Sequence, residues 1–383
     1  MTDIDGANAI EATQRRWREG RRALDASRDE LSRWASRTLY ADCPKVQGAD
    51  LLTRPEWTEP GPVPLDDVRL LWCGTAPPGS VRGAEPESAS VRPLRADGTR
   101  YETYASAVGE LARPRLFEDR PCYRLLRADV DDGSVRLSFG PGSYFDTINT
   151  CEAVAHELAE GRRADAAGVP DLPFRSLIGD PCDLSRRPVN VAVSALTIRR
   201  SATEATFVLH RRDSAKVAHG GGLYHVMPVG VYQPTGSGEA DHADDFDLWR
   251  FLAREYSEEF LGEPEHRAEH GPLDYERWPF FRALEEGREA GAVTAHWLGL
   301  GVDPLSLVTD ILVAVVFDDA SYDALLGGTV SVNAEGDVIG HHRFDAEHVS
   351  RALGSYPMQA AGAAVLAAAW QHRAALLPAG RSE

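Results

Sequence analysis

The chain has 383 residues, of which 43% are apolar and 26% are charged. This composition is that of a folded protein, and the length favours two domains over one. The formal net charge of −18 argues against general nucleic-acid binding, which needs clustered lysine and arginine. No apolar run approaches the roughly 18 residues of a membrane span. Five scattered cysteines without a C-x-x-C pair, and an acidic N-terminus unlike a secretory signal, predict a reduced cytoplasmic protein.

The first 45 residues are predicted to form a helical arm. Between Ile10 and Tyr40, apolar residues such as Trp17, Leu24 and Leu31 recur at roughly helical spacing, with charged residues between them. Such an arm either packs on the rest of the chain or mediates dimerisation, so a homodimer is one of the two expectations.

Residues 46–185 are predicted to form a smaller α+β domain. A short strand is expected at Val68–Cys73, within a Pro- and Gly-rich stretch. Alternating residues at Tyr123–Val130 and Ser134–Phe139 predict a β-hairpin over the turn that contains Gly133. A helix is predicted at Asn149–Glu160, and the loop that follows it ends the domain.

Residues 186–383 are predicted to form a second α+β domain. A polar loop is expected at Thr235–Asp245, where Asp244 or Asp245 would cap a helix at Phe246–Leu261. An Ala-rich helix is predicted at Met358–Leu377. The predicted strands are Val191–Arg199, Ala205–Arg211, Leu223–Tyr232, Val293–Gly301 and Ile311–Phe317.

The predicted helix Phe246–Leu261 contains the main candidate functional residues of the C-terminal half of the chain. One face is apolar, and the other brings Glu255, Glu258 and Glu259 together at spacings of three and four residues. Like charges at this spacing repel each other, so something should offset the repulsion. Arg254 can pair with Glu258, and a hard cation such as Mg²⁺ prefers carboxylate oxygens. The alternative is an ordinary solvated acidic face.

These residues resemble part of the Nudix hydrolase box. Arg254, Glu255, Glu258 and Glu259 match its Arg-Glu-aliphatic-any-Glu-Glu segment, and Pro228–Val231 resembles the strand end and glycine that open it. The resemblance extends over about 189–377. Phe246 stands where the family has an isolated glutamate, and the loop between Gly230 and Arg254 is longer than the family's. The first half of the chain resembles no characterised family.

The resemblance implies a Nudix-type α/β/α sandwich with a mixed sheet. It also implies that Glu255, Glu258 and Glu259 hold Mg²⁺ or Mn²⁺, and that Arg254 orients one of them. The implied reaction is metal-dependent hydrolysis of a diphosphate linkage in a nucleoside diphosphate derivative or similar metabolite. The catalytic residues would then be Arg254, Glu258, Glu259 and, as a general base outside the box, Asp310. A strand-entry cap is the alternative role for Asp310.

Four further residues are candidates for binding a small phosphorylated ligand. Tyr224 and His225 precede the box-like segment, and Arg199 and Arg211 lie on predicted strands. Packing residues and exposed strand arginines are the ordinary readings of these positions. Because the box departs from the family pattern, a second hypothesis is a ligand-sensing or regulatory module with little or no catalysis. A purely structural role is a third.

Overall fold

The computed structural model describes residues 2–58, 61–114, 117–131, 133–212, 222–236, 238–266, 273–330 and 336–378. Helices and strands are mixed along the chain, and the larger of two sheets contains both parallel and antiparallel pairs. The predicted α+β class with a mixed sheet is therefore confirmed. Among the helices of these residues, none combines the length and the apolar content needed to cross a membrane.

The helices are α1 Thr2–Trp34, α2 Tyr104–Leu111, α3 Tyr144–Thr147, α4 Ala153–Ala164, α5 Pro173–Ile178, α6 Glu239–Asp244, α7 Leu248–Glu259, α8 Pro279–Glu289, α9 Asp319–Leu326, α10 Ala346–Ser355, α11 Ala360–Gln371 and α12 Arg373–Leu376. The strands are β1 Val63–Pro64, β2 Val68–Trp72, β3 Pro121–Asp131, β4 Ser134–Ser143, β5 Val191–Arg200, β6 Ala205–Arg212, β7 Tyr224–Val226, β8 Val229–Val231, β9 Val293–Val302, β10 Thr309–Asp318 and β11 Gly336–Arg343.

The long helix α1 packs on the chain itself. It buries Trp17, Leu24 and Leu31, as its helical spacing predicts. Arg21 and Arg28 on the same helix pair with the buried carboxylate of Glu152. One of the two predicted roles of the arm, packing on the rest of the chain, is therefore seen directly. Dimerisation stays a prediction.

A three-stranded sheet follows, in the order β2-β4-β3. The predicted hairpin is confirmed as the antiparallel pair β3–β4, and β2 joins β4 in parallel. The predicted helix of this region is present as α4, preceded by a π-helical segment at Ile148–Glu152. The sheet faces inward through Leu125 and Leu137, which are fully buried.

The larger sheet has the order β1-β9-β10-β5-β6-β11, with β7 paired to β6 and β8 paired to β5. Its outermost strand β1 comes from the region predicted to be the smaller domain. Buried Arg175 also donates to the carbonyl oxygen of Pro304 at 2.9 Å, and one apolar core includes both Leu137 and Leu252. The division into 1–45, 46–185 and 186–383 stays a prediction, but the hydrophobic core is continuous across its boundaries.

Helices cover both faces of this sheet. On β10, Ile311, Val313, Val315 and Phe317 belong to the core beneath α7, whereas the intervening residues 312, 314 and 316 belong to the core beneath α11. This alternation is what a strand buried on both sides requires. The α/β/α arrangement expected for this half of the chain is present.

Several local predictions were wrong. The predicted strand Leu223–Tyr232 is two short strands, β7 and β8, separated at the cis peptide bond Met227–Pro228. The predicted loop Thr235–Asp245 contains α6. Helix α7 is capped by Asp247, whose carboxylate accepts from the backbone N–H of Arg250 at 2.8 Å, and not by Asp244 or Asp245.

Candidate functional site

Helix α7 is fixed by its apolar face. Leu252 and Tyr256 are fully buried, and the Tyr256 hydroxyl lies 2.8 Å from the hydroxyl of Thr197 on β5. The Tyr256 ring also packs edge-on against Phe317 of β10, with ring centroids 5.5 Å apart. Because the helix cannot rotate on the sheet without breaking these contacts, the positions of its glutamates are determined by the core.

Two glutamates of α7 are directed at the strand β8. The carboxylate of Glu255 lies against Gly230, so closely that a Cβ on residue 230 would meet its oxygens at 2.4 Å and 2.6 Å. Glu259 is buried, and its Oε1 accepts from the backbone N–H of Val229 at 2.7 Å. Glu258 is half-buried on the same helix. The structure therefore brings together the two segments that the sequence linked only by pattern, α7 and the glycine-bearing strand end.

Arg254 has partners that the sequence did not predict. Its side chain is 5% exposed and its Nη1 lies 2.6 Å from Asp245 Oδ1. Nη1 also donates to the Tyr275 hydroxyl at 2.8 Å, and Nη2 donates to the carbonyl oxygen of Gln233 at 2.7 Å. The expected pairing of Arg254 with Glu258 is replaced by this network.

Asp245, the acidic partner of Arg254, accepts further hydrogen bonds. The Tyr275 hydroxyl donates to Asp245 Oδ1 at 2.5 Å, and Asp245 Oδ2 accepts from the backbone N–H and hydroxyl of Thr235, both at 2.7 Å. Burial alone would lower the pKa of Arg254, but Tyr275 and Asp245 outweigh that effect and the pKa is raised. Arg254 is a permanent buried cation that ties α7 to the segments at 233–245 and 275.

Sequence reasoning missed Asp245, Tyr275 and Gln233 as members of this site. Tyr275 and Gln233 are each 21 positions from Arg254, and no helical or strand periodicity relates residues so far apart. A buried arginine needs paired acceptors, but the sequence does not say which acceptors the fold supplies.

In the part of the chain that the structure describes, no group of three or more His, Cys, Asp or Glu side chains is close enough together to enclose a metal ion. The three glutamates of α7 are thus not gathered around one point. Mg²⁺ does not require such a cage, since it is commonly bound by one or two carboxylates together with water and substrate phosphates.

Asp310 is not brought to the glutamates of α7. It is buried at the start of β10, and its Oδ1 accepts from the hydroxyl of Ser194 at 2.8 Å. Both residues belong to the alternating set that faces α11, whereas α7 covers the opposite face of the sheet. The proposed general base and the proposed metal ligands therefore lie on different faces.

Tyr224 and His225 are part of the packing under α10 and α11. The Tyr224 ring stacks on Tyr356 with centroids 4.8 Å apart, and its backbone bonds to the segment at 357–359. His225 is 2% exposed and lies against Gly362 of α11, where a Cβ would come within 3.2 Å of its Nδ1. Both side chains are therefore placed by contacts with the segment at 356–362.

The structure also places Arg199 and Arg211, the two strand arginines proposed to bind a phosphorylated ligand. Arg199 bonds to Asp319 at 2.6 Å and to Asp323 at 3.0 Å on α9, and its guanidinium lies over the Tyr322 ring. Arg211 is exposed on β6, opposite Tyr224 in the β6–β7 pairing. A phosphate-binding role for these residues stays a prediction.

Comparison with known proteins leaves the family open. No protein-family model matches the chain, and no curated protein matches it. A solved Nudix hydrolase structure from Alicyclobacillus acidocaldarius is similar to it, with 16% sequence identity, 46% of this chain and 89% of that chain covered, and a TM-score of 0.27. A superposition at this TM-score does not establish a shared fold.

Proposed function

We propose that this protein is a divalent-cation-dependent hydrolase that cleaves a diphosphate linkage in a small metabolite such as a nucleoside diphosphate derivative. The observation that carries the proposal is the contact of the Glu255 carboxylate with Gly230. A residue without a side chain leaves this carboxylate beside the backbone of β8, where a ligand can approach.

The donor chemistry fits a hard cation. Glu255 and Glu258 are both half-buried, and both are attached to a helix whose apolar face is fixed in the core. They are the proposed ligands of Mg²⁺ or Mn²⁺. When bound, the cation would neutralise charge on phosphoryl oxygens and lower the pKa of an attacking water.

The other residues of the site act as positioning residues in this proposal. Glu259 holds β8 to α7 through the Val229 N–H, although it remains a candidate third ligand if the strand moves. Arg254 is too deeply buried to meet a substrate directly, and it holds the segment that contains Asp245 against the helix. Asp310 is not included, since it lies on the face of the sheet that α11 covers.

The test is turnover of a panel of nucleoside diphosphate sugars, dinucleotides and nucleoside triphosphates with Mg²⁺ or Mn²⁺. We expect metal-dependent release of the phosphorylated products, at a rate that falls by at least about a hundredfold in Glu255→Gln and Glu258→Gln. Glu289→Gln, on the exposed end of α8, is the matched control and should retain full activity. Turnover that survives both α7 substitutions would place the chemistry elsewhere.

One observation favours a second function, ligand sensing without turnover. Phe246, which stands where the family pattern has a glutamate, is packed among aromatic rings, with centroids 5.1 Å from Tyr123 and 5.5 Å from Trp72. The position therefore serves the core and supplies no carboxylate. Metal-dependent thermal stabilisation by a nucleotide without product release would support this reading.

A further inference from the structure

A cleft of about 330 Å³ lies between β2, the first turn of α7 and helix α8. Its volume is in the range of sites that hold a small ligand or a few side chains. Its apolar lining consists of Leu65, Val68, Leu70, Leu248, Trp249 and Phe281. The α7 residues that line it, 247–250, precede Glu255, so the cleft is separate from the proposed metal site.

The rim of the cleft is acidic. Asp66, Asp247, Glu276 and Glu285 supply four carboxylates, whereas Arg250 and Arg288 supply two guanidinium groups. Both arginines are already engaged within the protein. Arg288 bonds to Asp66 and to Glu285, and Arg250 donates to the carbonyl oxygen of Asp244 at 2.7 Å. Because Arg288 pairs with two of the four carboxylates, and Arg250 is the only other cation of the lining, the sum of the charges that a ligand meets here is negative.

The strand beside the cleft is an exposed edge. Among the described residues β2 pairs only with β4, and it forms one end of the three-stranded sheet. Leu71 is 44% exposed and Trp72 is 42% exposed, and among the described residues Val169 is the only other exposed large apolar side chain. An edge strand offers backbone N–H and C=O groups to another strand, and proteins usually guard it with charges or proline. β2 carries only Arg69 for that purpose.

We propose that β2 and the adjoining cleft bind an extended peptide segment of a partner protein in which apolar and basic side chains are combined. The segment would pair with the free edge of β2 as an added strand. Alternate side chains of a strand point to the same face, so every second residue would enter the cleft. Apolar side chains would pack on Leu70 and Trp249, and a lysine or arginine would reach Asp247 and Glu276.

The probe is the fluorescein-labelled nine-residue peptide Val-Thr-Arg-Thr-Val-Thr-Arg-Thr-Val, in which both valine and arginine lie on one face of an extended strand. It is titrated with the full-length protein and followed by fluorescence anisotropy. We expect saturable binding, weakened about tenfold by Glu276→Arg and unchanged by Glu289→Arg, an exposed residue on α8 outside the cleft. A peptide of the same length with glutamate in place of arginine should bind at least tenfold more weakly.

The strand pairing is tested separately, without altering the protein. N-methylation of alternate residues of the peptide removes the donors that would face β2, and should weaken binding at least tenfold. Equal binding of the acidic peptide, of the N-methylated peptide or of the Glu276→Arg variant would overturn the proposal. Self-association that is abolished by Leu71→Lys but not by Val169→Lys would also overturn it, because a second copy of the chain would then occupy the edge.

Discussion

Gly230→Ala separates a metal-binding role of Glu255 from ordinary packing. The added Cβ would lie 2.4–2.6 Å from the carboxylate atoms of Glu255, well inside van der Waals contact. The obstructing group is the end of a flexible side chain, so the carboxylate can turn away from the strand. Overpacking in a rigid core costs about 1–3 kcal/mol, and we expect less than about 1 kcal/mol here because the side chain can move.

The displaced carboxylate should be lost as a ligand. We expect the affinity for Mn²⁺, measured by isothermal titration calorimetry, to fall at least tenfold, which corresponds to about 1.4 kcal/mol. The free energy of unfolding, measured in urea, should change much less. Gly354→Ala is the control, because a Cβ there meets nothing within 4 Å, and it should leave Mn²⁺ binding unchanged. Unaltered Mn²⁺ affinity in Gly230→Ala would refute the assignment of Glu255.

Three further predictions concern buried ionisable groups. Asp245→Asn leaves Arg254 as an uncompensated buried cation, so the free energy of unfolding in urea should fall by about 3–5 kcal/mol. The control Asp274→Asn, at an exposed ion pair, should lower it by less than about 0.5 kcal/mol. Equal effects of the two substitutions would contradict the buried network around Arg254. In Arg254→Lys the lysine cannot reach all the acceptors of the arginine. This substitution should lower the midpoint of thermal unfolding without altering the affinity for Mn²⁺. Burial, with a smaller effect of Arg21, lowers the pKa of His156 from 6.5 to about 3. Between these two values the unfolded chain binds a proton that the folded protein does not. As the pH falls from 6.5 to about 3, this group should therefore reduce the free energy of unfolding by about 1.4 kcal/mol per pH unit. The pH dependence of urea unfolding should be correspondingly shallower in His156→Gln, and an unchanged slope would show that His156 is not held neutral.

Local patterns were sufficient for the elements that are long and periodic. Alternation predicted β3 and β4 and their hairpin, and helical spacing predicted that Trp17 and Leu24 would be buried on one face of α1. Such elements depend on a contrast between two faces that repeats within a few residues. Short elements lack that repetition: β7 and β8 were predicted as one strand, and α6 as part of a loop.

The sequence alone determined that α7 presents three glutamates opposite an apolar face, because helical spacing decides which residues share a side. It could not determine which strand the glutamates meet, which acceptors surround Arg254, or on which face of the sheet Asp310 lies. Each of these depends on contacts between residues distant along the chain: Glu259 with Val229, Arg254 with Tyr275, and Asp310 with Ser194. Only the packing of the helices on the sheet decides such contacts, because the free energy of burying the apolar faces selects the arrangement that the whole core satisfies.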